Sequence, residues 1–213
     1  MRRPAGSLLR GEAVTDAQKP ELIDASLAEA RVIGKLPDDM PRGMAAIIRL
    51  IDKINLWTGR IVCWLILPLM LGMVYEVAVR KLFTSPTIWA FDLSRMLYGA
   101  HFMLGAAYVL SRGLHIRSDF LYRDWAVTKQ ARVDLIAYLL FFFPSMLLFF
   151  WVSLDYAYLS VIRGERSTET ALMPLLGPIK SCIPLAAALL VLQGISESLK
   201  CVYAMQKGKW PHQ

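Results

Sequence analysis

Four long apolar stretches limit what this 213-residue chain can fold into. They run over residues 61–79, 96–110, 133–152 and 179–202. A helix needs about 20 apolar residues to cross the hydrocarbon core of a bilayer. Three stretches meet that length, whereas the second has only fifteen residues and must borrow from flanking positions such as Phe91 or Leu114. The sequence therefore predicts an all-α integral membrane protein with four transmembrane helices.

The composition agrees with a membrane protein and argues against nucleic-acid binding. Hydrophobic residues make up 56% of the chain and charged residues 19%, whereas a typical soluble domain has about 25% charged residues. We attribute the net charge of +7 to topology and lipid headgroups, because no separate basic domain that could bind nucleic acid is visible. The three cysteines, Cys63, Cys182 and Cys201, have neither zinc-site spacing nor a disulfide framework.

The segment before the first stretch has the pattern of an amphipathic helix that lies in the headgroup plane. Its apolar residues recur at helical spacing: Met44, Ile47, Ile48, Ile51 and Ile54. Arg49, Asp52 and Lys53 fall on the opposite side. We therefore divide the chain into a polar cytoplasmic extension (1–41), an interfacial amphipathic helix (42–60), a four-helix membrane domain (61–203) and a cytoplasmic tail (204–213).

The distribution of basic residues predicts the orientation. Twelve lysines and arginines lie near the start of the first stretch, in the loop between the second and third, and in the tail. Only six lie in the other two loops, over residues 80–95 and 163–180. Because basic residues concentrate on the cytoplasmic side, both termini of this multi-pass protein should be cytoplasmic.

Two polar features lie where lipid is expected. Glu76 and Arg80 are one helical turn apart near the end of the first stretch, so they can form a structural pair, contact a second subunit or take part in ion movement. His101 is near the middle of the second stretch. It can serve as a hydrogen-bonding packing residue or as a proton relay. A pair of haems is disfavoured, because haem ligation needs axial partners and the other histidines are His115 and His212.

The second stretch is also rich in small residues, which let helix backbones approach closely in lipid. These residues are Gly99, Ala100, Gly105, Ala106 and Ala107. We therefore expect this stretch to be the central packing helix. We also expect an oligomeric partner to shelter the polar residues Asp92, Arg95 and His101.

Neither catalysis nor autonomous transport has support in the sequence. There is no glycine-rich phosphate loop that ends in Lys-Ser/Thr, and no serine, histidine or carboxylate cluster suggests an enzyme, a metal site or a cofactor. Secondary transporters usually contain repeats with broken helices, whereas these four stretches show no convincing repeat. The pattern is typical of a helper subunit.

The order of short motifs along the chain resembles a known family. The first stretch ends Tyr-Glu-Val-Ala-Val-Arg-Lys-Leu-Phe at residues 75–83, and Gly-Ala-Ala-Tyr-Val-Leu follows at 105–110. Next come Arg112-Gly113, His-Ile-Arg-Ser-Asp at 115–119 and Leu-Gln-Gly at 192–194. Over about residues 60–203 this resembles the small membrane subunit, of the DctQ type, of tripartite ATP-independent periplasmic (TRAP) transporters. The family often has Trp-x-x-Glu in its first outer loop, whereas here Trp89 is followed by Asp92.

The resemblance implies a place in the bacterial inner membrane and two protein partners. A large membrane subunit carries the substrate and sodium sites and moves as an elevator, and a periplasmic binding protein delivers a substrate that is typically an organic acid. The small subunit braces the large one and helps to dock the binding protein, among membrane lipids and without a cofactor. The substrate cannot be named from this chain, because its site would lie on the other subunits.

Two sets of candidate residues follow from these arguments. The candidates for structure and assembly are Glu76, Arg80, Trp89, Asp92, Arg95, His101, Gly105, Arg112, His115 and Asp119. The candidates for docking the binding protein are Arg163 and Arg166. Two other functions stay open: a membrane anchor for a redox enzyme, which an optical spectrum would reveal, and an autonomous small transporter, which flux in liposomes would reveal.

Overall fold

A computed structural model of the chain describes residues 36–37, 39–85, 87–112 and 125–211, and this part is largely helical. Its helices are α1 (Arg42–Cys63), α2 (Ile66–Phe83), α3 (Ile88–Ser111), α4 (Val127–Ala137), α5 (Phe143–Ile162) and α6 (Gly177–Lys207). A π-helical turn at Tyr138–Phe142 joins α4 to α5. The predicted polar extension up to residue 35 and the motif residues His115 and Asp119 lie outside the described residues.

The central helix is α6, not the second apolar stretch that the sequence suggested. α6 packs against α1, α3, α4 and α5, whereas α3 packs against α1, α2 and α6. The reason is that α6 has small or polar residues around much of its circumference, as at Gly177, Ala187, Gly194 and Ala204. By contrast, a Cβ atom at Gly105 of α3 would have no neighbour within 4 Å.

Large apolar side chains face outward, which is the inverse of a soluble helical protein. In α5 the buried residues are Ser153, Ala157 and Ser160, one stripe at helical spacing. Trp151 and Leu148 of the same helix are 71% and 70% exposed. Small and hydroxyl-bearing residues between helices with apolar residues outside are typical of membrane packing. Within the described part of the chain, three helical stretches are long and apolar enough to cross a membrane: Arg42–Phe83, Val127–Ile162 and Gly177–Lys207.

The second predicted span corresponds to α3, which is helical but does not belong to this group of three. Its 24 residues exceed the length that a crossing needs. Asp92, Arg95 and His101 interrupt its apolar residues. The apolar character of three of the four predicted spans is therefore confirmed, and the crossing by α3 stays a prediction.

Prolines account for two irregularities of the helices. Pro68 has no N–H, so the carbonyl of Trp64 loses its usual partner four residues ahead. At this point the chain tightens: Leu65 donates to the Val62 carbonyl at 3.0 Å, and Leu67 donates to the Trp64 carbonyl at 3.2 Å. This turn separates α1 from α2. The π-helical turn lies immediately before Pro144, as is common where a proline disturbs a helix ladder.

The predicted amphipathic segment is helical, but one polar residue of its opposite face was assigned wrongly. α1 runs past residue 60 without interruption to Cys63. Its buried face includes Ala45, Ile48 and Ile51, whereas Ile47 is 49% exposed. Asp52 does not point away from the bundle as predicted: it binds residues of α6. The direction of the Asp52 side chain is set by its polar partners on α6. The periodicity of α1 cannot predict these partners, because they lie more than 140 residues away in the sequence.

We predict that Gly59→Ala destabilises the bundle by about 1–3 kcal/mol, because overpacking forces shifts of this size. A Cβ atom at Gly59 would lie 2.3 Å from the Tyr108 ring and 2.8 Å from the Tyr108 Cβ, so the α3 backbone would have to move. Gly72→Ala in α2 is the matched control, since nothing lies within 4 Å of its Cβ position. Thermal unfolding of the full chain in lipid–detergent micelles, followed by circular dichroism, measures both. Equal melting temperatures for the two variants would contradict the close approach of α1 and α3.

Candidate functional site

The bundle has two ends that are held together in different ways. We call the end with connections 84–87 and 163–176 the loop end. We call the other the terminal end, where Met40, Ala45 and Ile48 pack against Tyr203 near the end of α6. Polar side chains cluster at both ends, and the sequence analysis identified part of the cluster at the loop end and none of the cluster at the terminal end.

At the loop end, Glu76 joins α2 to the start of α3. It accepts hydrogen bonds from Arg80 Nη2 at 2.6 Å and Arg80 Nε at 3.2 Å, so the pair at i and i+4 is present. It also accepts hydrogen bonds from the Thr87 backbone N–H at 3.0 Å and from the Thr87 hydroxyl. Trp89 stacks on Tyr75 beside this junction, with ring centroids 5.7 Å apart. Glu76 and Trp89 therefore close the α2–α3 hairpin.

Asp92 and Arg95 fasten the 163–176 loop to α3. Asp92 is only 1% exposed and accepts a hydrogen bond from the Thr170 hydroxyl. Arg95 Nη2 lies 3.7 Å from Asp92 Oδ1 and 3.3 Å from Ser167 Oγ, and Arg95 also pairs with Glu169. The expected shelter for these charges is thus supplied, at least in part, by the chain's own loop.

The same loop is braced from its other side by Glu165 and Lys180. Lys180 Nζ lies 2.5 Å from Glu165 Oε2 and 4.1 Å from the centroid of the Tyr156 ring. The hydrogen bond from the Lys180 ammonium lowers the pKa of Glu165 below its ordinary value, because it favours the charged carboxylate. Two backbone hydrogen bonds close the loop on itself, Ser167 N to Pro174 O and Leu176 N to Glu165 O, both at 2.9 Å.

The sequence analysis did not identify Glu165, Glu169, Thr170 or Lys180 as functional residues. No local signal points to them, because Thr170 is 78 residues from Asp92. The contacts of Thr170 and Lys180 depend on how α3 and α5 meet α6.

Arg163 and Arg166, the docking candidates, are both exposed at the loop end. Arg163 directly follows the last residue of α5. Arg166 Nη1 donates to the Met173 carbonyl at 3.4 Å, so one of its nitrogens already holds the loop tip. At that tip Met173 has a φ of 47° and is half exposed. Arg163 is therefore the less constrained of the two arginines.

His101 lies at mid-length of α3 and contacts the break between α1 and α2. Its Nδ1 is 3.0 Å from the Val62 carbonyl, so the imidazole can donate to it in the Nδ1–H tautomer. The Val62 carbonyl also accepts from the Leu65 N–H in the turn, so His101 adds a second contact to this carbonyl from a neighbouring helix. This geometry favours the packing role over a proton relay. Farther along α3, the Arg112 guanidinium lies 5.2 Å from the centroid of the Tyr108 ring.

A polar network at the terminal end links α1 to α6, and the sequence analysis did not identify it as a site. Asn55 Nδ2 donates to Gln193 Oε1 at 2.6 Å, and Ser196 Oγ donates to Asp52 Oδ1 at 2.9 Å. Gln193 Nε2 donates to Asp52 Oδ1 at 3.1 Å and to Glu197 Oε1 at 3.2 Å. A signal was present: polar residues at 193, 196, 197 and 200 recur at helical spacing inside an apolar stretch.

Lys200 completes this network as a shared cation. Its Nζ lies 3.2 Å from Asp52 Oδ2 and 2.8 Å from Glu197 Oε1. The Lys200 and Glu197 side chains are only 5% and 9% exposed. Charges removed from water to this extent need a partner, because the loss of one partner leaves an uncompensated ion. The arrangement holds two helices together, and within the described residues no group of histidine, cysteine or carboxylate side chains could hold a metal.

We predict that Lys200→Met destabilises the folded chain by about 3–5 kcal/mol, the usual cost of breaking a buried pair. Without the Lys200 ammonium, the carboxylates of Asp52 and Glu197 would repel each other and would lack a countercharge. Lys207→Met, at the exposed end of the same helix, is the control and should have little effect. Thermal unfolding in micelles gives both values. If neutralising the carboxylates with Asp52→Asn and Glu197→Gln fails to restore stability to Lys200→Met, then charge is not the cause.

Comparison with protein families, curated proteins and solved structures places this geometry in context. Residues 69–203 match the model of the family described as "Tripartite ATP-independent periplasmic transporters, DctQ component". No curated protein and no solved structure matched the chain. The family match begins in α2 and ends near the end of α6, so it covers both polar clusters of the bundle except for the α1 residues. Because the match extends over more than half of the sequence, this chain belongs to the DctQ family, the small permease components of TRAP transporters.

Proposed function

We propose that this DctQ-family chain braces a large, sodium-coupled membrane subunit during uptake of an organic acid that a periplasmic binding protein delivers. The family is one of transporter components and not of enzymes. The observation that supports the bracing role is how the charged side chains at the two ends are used. Asp92, Arg95 and Lys200 contact other residues of the same chain and hold its helices and its loop. Substrate and ion chemistry is then left to the other subunits.

The proposed topology has four crossings with both termini in the cytoplasm of a bacterium. The excess of basic residues near the start of the first stretch, in the second loop and in the tail supports this orientation. The packing of Ala45 and Ile48 against Tyr203 supports it too, because an even number of crossings returns the chain to the side where it began. In this topology the interfacial segment, residues 42–60, begins at the cytoplasmic headgroups, and the loop end faces the periplasm.

The competing functions have less support. A haem-bearing redox anchor needs axial ligands, and His101, the histidine that the structure describes, is engaged by the Val62 carbonyl. An autonomous transporter would need a polar path through the bundle. The described polar groups of α6 instead form a network at the terminal end, in which Lys200 pairs with Glu197.

The proposal predicts that the chain is well behaved only together with its large subunit. Expressed alone it should aggregate or be degraded, since Arg95 and His101 of α3 are partly exposed where lipid is expected. Co-expressed with the large subunit it should elute as one monodisperse complex. Size-exclusion chromatography and uptake by proteoliposomes test both points. Flux of an organic acid through liposomes that contain this chain alone would overturn the proposal.

We predict further that Arg163→Glu slows uptake at low concentrations of the binding protein. Charged residues at the rim of an interface mainly set the encounter rate and the orientation, so a high concentration should restore most of the rate. The defect should also become smaller at 1 M salt, where the Debye length is only about 3 Å and charges at the interface are screened. Arg166→Glu should add a structural effect because Arg166 also holds the Met173 carbonyl. Lys209→Glu at the terminal end is the control. Uptake by Arg163→Glu that equals the control at every concentration would contradict the docking role.

A further inference from the structure

An apolar groove opens between α2 and α3 towards the loop end. Its volume is about 610 Å³, within the range of about 300–1,000 Å³ that is usual for ligand pockets. Leu69, Met73 and Val77 line it from α2, and Phe91 and Tyr98 line it from α3. The groove exists because α2 has no buried residue of its own and packs on α3 alone.

One end of the groove is positively charged. Arg80, Lys81 and Arg95 line this end, with Glu76 as the one carboxylate among the lining residues. Glu76 is engaged by Arg80, and Arg95 is engaged by Glu169 and Asp92. Lys81 forms no ion pair with any described residue. The groove is therefore apolar along most of its length and has the unpaired ammonium of Lys81 at one end.

The length of the groove matches one leaflet of a bilayer. Leu69 and Lys81 are twelve residues apart, which is about 18 Å along a helix at a rise of about 1.5 Å per residue. One leaflet contributes about 15 Å of the roughly 30 Å of hydrocarbon. α2 belongs to the stretch that is apolar enough to cross the membrane, so the charged end lies at headgroup level when the apolar end lies near the midplane.

We propose that this groove binds a phospholipid with a net anionic headgroup. The phosphate lies against Lys81 and Arg80, and one acyl chain runs along Met73, Val77 and Phe91 towards Leu69. A membrane-spanning helix of another subunit fits less well, since it would cross both leaflets and would leave Lys81 without a countercharge. The bound lipid fills the space between α2 and α3. It thereby restricts the motion of α2, which has no buried residue. This inference does not depend on the identity of the large subunit or of the substrate.

The first test measures lipid retention by native mass spectrometry. The full chain, with its membrane partner where that is needed for folding, is reconstituted in phosphatidylcholine nanodiscs with increasing phosphatidylglycerol. Lys81→Gln should require about fivefold more phosphatidylglycerol for half-occupancy, which corresponds to about 1 kcal/mol per basic residue near the membrane surface. Lys207→Gln, at the terminal end, is the matched control and should not shift the curve. Equal curves for the two variants, or no preference for phosphatidylglycerol over phosphatidylcholine in the unmodified chain, would overturn the proposal.

The second test examines the apolar part of the groove in intact membranes. Ser94 lines the groove, and a benzophenone amino acid at this position should form adducts with phospholipid on illumination. Adducts with protein alone would show that a helix of another subunit fills the groove, and the proposal would then be wrong. Ser94→Leu narrows the channel and should reduce lipid retention, whereas Ser145→Leu on the exposed side of α5 should leave it unchanged. Retention that is equal in these two variants would also contradict the proposal.

Discussion

Every polar group within a bilayer must find its partner inside the protein, because the hydrocarbon core offers no water. The architecture of this chain follows from that constraint. α6 carries Gln193, Glu197 and Lys200 buried within the bundle, and α1 supplies the carboxylate and the amide that satisfy them. A helix with so many buried polar groups must be surrounded by other helices, so α6 is the centre of the bundle. The apolar residues of α5 are displaced to the outside for the same reason, and Ser153 and Ser160 face inward.

The same constraint operates differently at the loop end. There the buried charge of Asp92 is met by a loop, through Thr170, and by Arg95 of its own helix. Movement of the 163–176 loop away from α3 would expose the Asp92 carboxylate. The loop is therefore held in one position at the surface of the bundle. The proposed bracing role requires this kind of rigidity. If binding-protein docking occurs at the loop end, Arg163 and Arg166 are presented on a fixed frame and not on a free loop.

The break between α1 and α2 is stabilised within the turn and from a neighbouring helix. Within the turn, the Leu67 N–H donates to the Trp64 carbonyl, which Pro68 leaves without its usual partner. The turn between α1 and α2 leaves the Val62 carbonyl accessible, and His101 of α3 binds it. The close approach of α3 to α1 requires glycine at position 59, where the Tyr108 ring occupies the space of a side chain. α2, which follows the break, lies outside this tightly packed part. It is held to α3 by the Glu76–Thr87 contacts and by the stack of Tyr75 on Trp89, and the groove beside it remains open.

Local periodicity explains what could be predicted from the sequence. The lengths of the apolar stretches predicted the helices, and the spacing of Glu76 and Arg80 predicted their contact, since residues at i and i+4 meet on any helix. The order of the motifs identified the family before any geometry was known. The direction of Asp52 and the identity of the central helix could not be obtained in this way.

Only the tertiary structure decided which helix faces meet. Asp52 binds Ser196, which is 144 residues away, and Asp92 binds Thr170, which is 78 residues away. Helical spacing shows which residues share a face, but it does not show which other helix that face will contact. That choice depends on the packing of all the helices together and on where each buried charge can find a countercharge. The sequence by itself therefore determined the elements and the family, and the packing determined the polar clusters that hold the elements together.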